Sequence, residues 1–485
     1  MREEIMAALH EVRDMERLIN RIVYKNANCP DLLSLGESLR QLPILMNILQ
    51  GASSKLLSSC AARLDTLDDV CKIIDDNINS NAPASLRNGD LIKRGANEEL
   101  DRIYNLVQNG KSVMLEMIEK EKEKTGIKIM KLGYNKVFGY YMEVSNSYKE
   151  LVPDYFIRKQ TLTNGERYVT PDLKELEEEI LVSGEKLLDM EYELFCQVRE
   201  RVAEAFQRVL KSAEIVALVD MLCSFAAAAE RYSYVMPSVN MSDKIIIKDG
   251  RHPVVEKLIR GSGFIANDTT LDNLENQVLI ITGPNMAGKS TYMRQTALIV
   301  LMAQAGSFVP AKSAEIGIVD KIFTRVGASD DLSSGQSTFM VEMNEVSYIL
   351  DNATSKSLVV LDEIGRGTST YDGLAIAWSV VEYIADVKKC GAKTMFATHY
   401  HELTQLEDKI PNVKNYCIAV KKHNGTISFL RKIIRGGADE SYGVDVAALA
   451  GVKKSVVNRA REIVASLESG GEGEVRTEKI NTARI

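Results

Sequence analysis

The sequence predicts a multidomain protein in which a helical domain carries a small β insertion and is followed by an α/β domain of the P-loop type. Three observations carry that expectation. Apolar residues recur at helical spacing through residues 1–124, as at Leu32, Leu35, Leu39, Leu42 and Leu45. Short aromatic and β-branched runs then intervene over residues 125–171, with the hairpin pair Asn164-Gly165 among them. After Pro237, apolar strand-like runs alternate with amphipathic stretches, and one run leads into Gly283-x-x-x-x-Gly288-Lys289-Ser290.

Composition sets the outer bounds. A chain of 485 residues exceeds what one hydrophobic core organises, so about two to four domains are expected. Hydrophobic residues at 45% and charged residues at 26% are ordinary for a soluble globular protein. No run of eighteen apolar residues occurs, and the opening MREEIMAALHEVRDMERLIN has no signal-peptide core. A cytoplasmic protein with no membrane partner is expected. The seven cysteines form no CxxC pair and are odd in number, which fits buried small hydrophobes in a reducing compartment. A net charge of −7 excludes a uniformly basic nucleic-acid binder and leaves room for a local basic surface.

Within residues 125–171, seven basic residues (Lys128, Lys131, Lys136, Lys149, Arg158, Lys159, Arg167) stand against four acidic ones. These cations, with Asn135 among tyrosines, suit contacts to DNA phosphates without base reading. A solvated β face accounts for them equally well. Over residues 172–236 no proline occurs and one face stays apolar, which gives helices totalling about 90 Å at about 1.5 Å per residue. A core or coiled-coil pair and a rigid lever both fit that pattern.

The α/β domain is expected over residues 237–435, with strands at Lys244–Lys248, Val278–Thr282, Leu358–Asp362 and Thr394–Thr398. Its strongest motif is VLIITGPNMAGKST, a buried strand, a glycine loop and a helix in unbroken order. The loop from Gly283 through Pro284, Asn285, Met286, Ala287 and Gly288 to Thr291 would wrap phosphates there with its backbone N–H groups, which Pro284 alone lacks. Lys289 would reach the β and γ oxygens, and the Ser290 hydroxyl would ligate Mg²⁺. The strand LVVL ends in Asp362 and Glu363, where an NTPase holds its metal carboxylate and the group that orients water. Asp362 is the Mg²⁺ candidate, and Glu363 the group that polarises the attacking water; an acidic pair capping the Gly365 turn is the bland alternative. TMFATH ends a further strand at His399, a candidate γ-phosphate sensor; His399 and His401 as a metal pair would need ligands that are not near them in sequence. Ser337 and Thr338 in DDLSSGQSTF are possible anion donors or an ordinary N-cap.

Together TGPNMAGKSTYMRQ, FTRVGASDDLSSGQSTFMVEMNE, LDEIGRGTSTYDGLAIAW and ATHYHELT resemble the ATPase domain of the bacterial MutS mismatch-repair family, an ABC-type ATPase. GYNKVFGYYMEV and RKQTLTNGERYVTPDLKE resemble its clamp, and SYGVDVAALAGV its C-terminal helix-turn-helix dimerisation segment, placed at residues 436–468. The resemblance implies an ATPase homodimer that encircles double-stranded DNA, uses ATP and Mg²⁺ at composite interface sites, and works with a MutL-type repair partner. It implies that Phe264 stacks on adenine, that Lys289, Glu363 and His399 serve hydrolysis, and that Ser337 reaches the partner subunit's γ-phosphate. Lys453 stands where the family usually has proline. None of the eleven phenylalanines is followed at the second position by glutamate, so a chain without the family's mismatch-recognition and connector domains is expected. Residues 469–485 have no periodicity and are expected to be disordered. Two other readings stay open here. One is the family's headless branch, which acts in recombination control or ribosome rescue; the other is a chromosome-structuring or transporter-type ABC ATPase.

Overall fold

A computed structural model describes residues 1–259, 263–284, 287–326, 338–423, 426–437 and 442–468. It divides into two compact units, Met1–Cys223 and Ser224–Ile485.

The first unit opens with six short helices: α1 (Arg2–His10), α2 (Met15–Val23), α3 (Cys29–Leu39), α4 (Leu42–Gln50), α5 (Lys55–Arg63) and α6 (Asp68–Asn77). Local chemistry starts several of them. Asp14 caps α2, and Asn28 and Asp31 form a reciprocal capping box at α3. The leucines at 32, 35, 39, 42 and 45 are all buried in one core. That core is closed by Phe195, Val198 and Val202 of α8 (Pro171–Glu204) and by Val209, Ile215 and Val219 of α9 (Phe206–Tyr232).

The helix α7 (Glu98–Thr125) starts on an Asn97 cap, ends at left-handed Gly126, and packs along the first half of α8. A Cβ on Gly110 would lie 2.5 Å from Ile180, so the two helices meet with no room for a side chain there. Between them lies an antiparallel sheet of β1 (Met130–Asn135), β2 (Gly139–Ser145), β3 (Ile157–Thr161) and β4 (Gly165–Val169), ordered β1-β2-β4-β3. Met130, Met142, Val144 and Tyr168 face Met114 and Ile118 of α7 and Leu173 of α8. The hairpin expected at Asn164-Gly165 is present, but Gly165 opens β4 and is no turn residue. A Cβ there would meet the Val144 carbonyl at 2.5 Å, so close strand approach, and not turn conformation, selects the glycine.

Within residues 172–236 two helices follow one another, broken at Ala205 and ending at Tyr232. Among the described residues α9 alone is long and apolar enough by composition to cross a membrane, although no unbroken apolar run marks it in the sequence. Its Val209, Val216 and Val219 belong to the helical core.

Among the described residues the second unit holds two sheets. In chain order its elements are β5 (Ser238–Asn240), β6 (Ile245–Gly250), α10 (Val255–Leu258), β7 (Asn267–Leu271), β8 (Val278–Thr282), α11 (Lys289–Gln304), β9 (Ser313–Gly317) and β10 (Ile322–Arg325). They continue with α12 (Thr338–Asn352), β11 (Leu358–Asp362), α13 (Thr370–Ala385), β12 (Lys393–Ala397), α14 (Leu406–Lys409), β13 (Val413–His423), β14 (Thr426–Arg435), α15 (Gly443–Leu449) and α16 (Lys454–Glu468). The larger sheet runs β10-β11-β12-β8-β13-β14, parallel except for β14. Strand alternation divides its side chains between two cores. Leu279, Ile281, Val360 and Met395 meet α11, while Val278, Ile280, Val359 and Phe396 meet α12 and α13. The run expected at Lys244–Lys248 is a strand, β6, but it belongs to the smaller sheet β5-β9-β6-β7, where it pairs antiparallel with β7 and β9. Periodicity identifies a strand and is silent about its partner. All seven cysteines are free, and all but Cys196 are buried.

Candidate functional site

Three adjacent parallel strands, β11, β12 and β8, deliver the expected groups to one edge of the sheet. Asp362 pairs with Ala397, and Ala397 with Ile281, so Glu363, Thr398 and Gly283 follow the carboxyl ends of neighbouring strands. Open α/β sheets bind ligands at that edge. Gly283 (φ +128°) and Gly288 (φ +108°) both adopt left-handed backbone, which lets the loop turn sharply into the N-terminus of α11. Ala287 is fully buried, and its N–H donates to the Pro284 carbonyl at 3.1 Å. Asn285, Met286 and Ser337 lie outside the described residues.

Lys289 is completely buried. Its Nζ donates to the Gly283 carbonyl, and to the Thr398 carbonyl at 3.4 Å. Burial lowers its pKa, and the nearby Glu363 and Asp362 carboxylates oppose that shift. Burial raises the pKa of Asp362, against a hydrogen bond from Ser290. Among the described residues, Asp362 Oδ1 is buried without a hydrogen-bond partner. A carboxylate oxygen with no partner beside a hydroxyl is a donor pair that suits a hard divalent cation, which takes one or two protein oxygens and completes its shell from phosphate and water. The residues present therefore fit Mg²⁺. No cluster of three or more His, Cys, Asp or Glu side chains occurs among the described residues, so His399 and His401 do not form a metal pair with further ligands.

Glu363 stands in left-handed backbone at φ +56°, an unusual conformation for a side chain other than glycine. Its N–H donates to the Ala397 carbonyl at 2.9 Å, and its Oε2 accepts from Arg366 at 2.8 Å. His399 is exposed, and its ring lies 4.2 Å, centroid to centroid, from that of Tyr400 and tilted by 39°. Protein on its inner side lowers its pKa by desolvation, so the imidazole is neutral near pH 7.

Three contributors were not visible in the sequence. Glu342 of α12 accepts from the Gly365 N–H at 2.6 Å, and Arg325 of β10 lies 3.7 Å from the same buried carboxylate. Tyr400 donates to the Gly365 carbonyl at 3.0 Å, which fixes the turn after Glu363 from its other side. A charged residue inside an amphipathic helix looks like a surface residue in sequence, so only the fold reveals this contact.

Phe264 reaches the same region. It lines a cavity of about 320 Å³ with Gly288, Thr291, Tyr292 and Gln295 of the loop and α11, with Val255 and Ile259, and with Arg431 of β14. His252 Nδ1 accepts from the Val254 and Val255 N–H groups at 3.3 and 3.2 Å, anchoring the short α10 at the cavity wall.

The β-module cations divide into two groups. Lys149 and Arg158 converge on buried Glu166 at 2.9 and 3.4 Å. Lys149, and then the Tyr168 hydroxyl, hold that carboxyl at about 2. Arg167 pairs with Glu143 at 3.3 Å and covers the Tyr141 ring. Asn135 accepts from the Val137 N–H at 2.8 Å and shapes the β1–β2 turn. Lys128, Lys131, Lys136 and Lys159 are exposed.

A glycine turn between a central parallel strand and a helix N-terminus, beside a buried carboxylate, makes an α/β fold suited to anions paired with a cation. Comparison with known proteins narrows the class. Residues 279–468 match MutS domain V, and residues 95–186 match MutS family domain IV. A protein of Caldicellulosiruptor bescii named DNA mismatch repair protein MutS is 58% identical over 96% of this chain and 54% of its own length. Proteins of the same name from Acetivibrio thermocellus and Clostridium botulinum are 57% and 53% identical over 96% and 97% of the chain, and over 54% and 51% of their own lengths. The chain belongs to the MutS family. It spans about half the length of the curated relatives it matches.

Proposed function

We propose that this chain is an ATP-hydrolysing, DNA-clamping part of a mismatch-repair ATPase, acting in the cytoplasm on nucleoid DNA. The observation that carries the reading is the convergence of the Gly283–Ser290 loop, Asp362, Glu363 and His399 at the carboxyl ends of three neighbouring parallel strands. Adenine stacks on Phe264, and the triphosphate lies along the loop at the start of α11. Lys289 moves its ammonium from backbone carbonyls to phosphate oxygens. Ser290 and Asp362 hold Mg²⁺, which when bound neutralises phosphate charge. Glu363 polarises the attacking water, and neutral His399 donates to the γ-phosphate. Ser337 acts on the partner subunit's nucleotide in a homodimer, which couples hydrolysis to dimer geometry. Residues 1–124 and 172–236 form the core and lever, 125–171 the DNA clamp, 237–435 the ATPase, and 436–468 the dimerisation segment, with a MutL-type protein as downstream partner.

Binding and turnover separate these roles. Glu363→Gln should keep ATP affinity within about threefold and lose turnover by about a hundredfold, the scale of general-base catalysis. Lys289→Ala should lose affinity as well, because it removes the cation facing the phosphates. Radiolabelled ATP binding and phosphate release measure the two quantities. Wild-type turnover in Glu363→Gln removes that residue from the mechanism, and wild-type binding in Lys289→Ala removes the phosphate loop.

A further inference from the structure

Gln295 lies seven residues past Gly288, two turns along α11, and so shares a helix face with Gly288, Thr291 and Tyr292. All four line the cavity that holds Phe264. Gln295 is 1% exposed, and among the described residues neither its Oε1 nor its Nε2 has a hydrogen-bond partner. Two other polar side chains of the cavity, those of Asn267 and Tyr292, are engaged within the protein. Asn267 Nδ2 donates to the Ile265 and Arg431 carbonyls, and its Oδ1 accepts from the Ile433 N–H at 2.8 Å. Tyr292 hydrogen-bonds to Thr269 at 3.0 Å and donates to the Asp268 carbonyl at 2.9 Å.

A buried carboxamide open at both ends is costly unless a partner arrives. The cavity, at about 320 Å³, falls within the size range of small-molecule sites. A glutamine amide offers one donor group and one acceptor side by side. That pattern complements an amino group next to a ring nitrogen, the edge a 6-aminopurine displays.

We infer that Gln295 is the base-reading residue of this site: its amide pairs with the 6-amino edge of a purine nucleotide whose ring stacks on Phe264. The inference rests on the nucleotide reading above and adds what selects the base. A site built to hydrogen-bond a substrate group discriminates against an analogue that lacks the group, because the site's own polar atoms are then left unpaired.

The test is calorimetric titration of the whole chain with ATP and with purine riboside triphosphate, which has no 6-amino group. The wild type should bind ATP about tenfold or more tightly than the analogue. Gln295→Leu, of similar size and without hydrogen bonds, should bind the two within about threefold of each other, with affinity for the analogue close to the wild-type value. Equal binding of the two ligands by the wild type overturns the inference and needs no variant to fold. A discrimination that persists in Gln295→Leu also overturns it. If the wild type binds ATP, and Lys289→Ala does not, while the 6-amino group makes no difference, the inference alone fails. If the wild type binds neither ligand, the nucleotide reading falls with it.

Discussion

Gly365 is gripped at both backbone atoms by side chains from distant elements. Its N–H goes to Glu342 on α12, and its carbonyl accepts from Tyr400 beyond β12. Two residues earlier, Glu363 is held at φ +56°, a conformation that costs about 1–3 kcal/mol and persists only where the surroundings over-determine it. A Cβ at Gly365 would meet the Gly373 carbonyl at 2.6 Å, so the turn is also packed too closely to shift. Glu342 is thus a positioning residue for Glu363. It is buried beside Arg325, whose Nε also pairs with Glu345 at 2.8 Å. Glu342→Ala would leave the Gly365 N–H without its acceptor and relax the turn. Turnover should then fall about tenfold or more while ATP affinity stays within about threefold, a loss of about 1.4 kcal/mol or more confined to the chemical step. Glu342→Gln, which keeps an oxygen for the Gly365 N–H, should recover most of the rate. Parallel loss of binding and rate in the alanine variant would count against positioning, as would no recovery with glutamine.

At the scale of elements, the β1–β2 hairpin is fixed to α8 by one side chain. Glu177 accepts from the Tyr140 N–H at 2.8 Å and pairs with Lys174, whose Nζ also donates to the Phe138 carbonyl at 3.1 Å. Gly139 makes the approach possible. It sits at φ +80°, and a Cβ would lie 2.0 Å from Glu177 Oε1. Gly126 supplies an internal control, since it has φ +74° and, among the described residues, nothing within 4 Å of its would-be Cβ. Gly126→Ala should cost only the left-handed backbone term, about 1–2 kcal/mol. Gly139→Ala should cost more, because the buried carboxylate must also move. Urea unfolding of both variants decides it, and equal losses would mean that Glu177 gives way freely. The same elements show what the sequence reveals. β8, β11 and β12 were legible because their apolar runs lead into Gly283, Asp362-Glu363 and His399, and α7 and α8 because their apolar faces repeat. The sheet to which β6 belongs was not legible, nor was the meeting of Phe264 with Gln295 and Arg431, since strand pairing and cavity walls are made by residues far apart in the chain. The pairing of Lys149 and Arg158 with Glu166 was hidden for the same reason: charge counts a cation without showing its neighbour.

At the scale of the whole molecule, a net charge of −7 places any attraction for DNA in a local surface and not in the overall field. Lys128, Lys131, Lys136 and Lys159 are exposed cations of the β module, and Lys149 and Arg158, exposed as well, also hold Glu166 in place. If the first four touch phosphates, duplex binding should fall steeply with salt, and each alanine substitution among them should reduce the log–log salt slope by about 0.9. Lys149→Ala and Arg158→Ala should in addition destabilise the β module, because each removes a partner of a buried carboxylate. Phosphate contacts carry no sequence information. Within these 485 residues no phenylalanine is followed at the second position by glutamate, so the wedge that resemblance to the family would assign to mismatch reading is not among them. Unstacking a mispaired base costs a few kcal/mol and needs an inserted side chain. A G·T heteroduplex and its matched homoduplex should therefore bind this chain with affinities within about threefold at every salt concentration. Fluorescence anisotropy with both duplexes between 50 and 200 mM salt, roughly the range over which phosphate-driven binding changes most, measures this directly. A tenfold preference for the mismatch would show that residues of this chain read it, and a flat salt dependence would remove the β-module lysines from the DNA path.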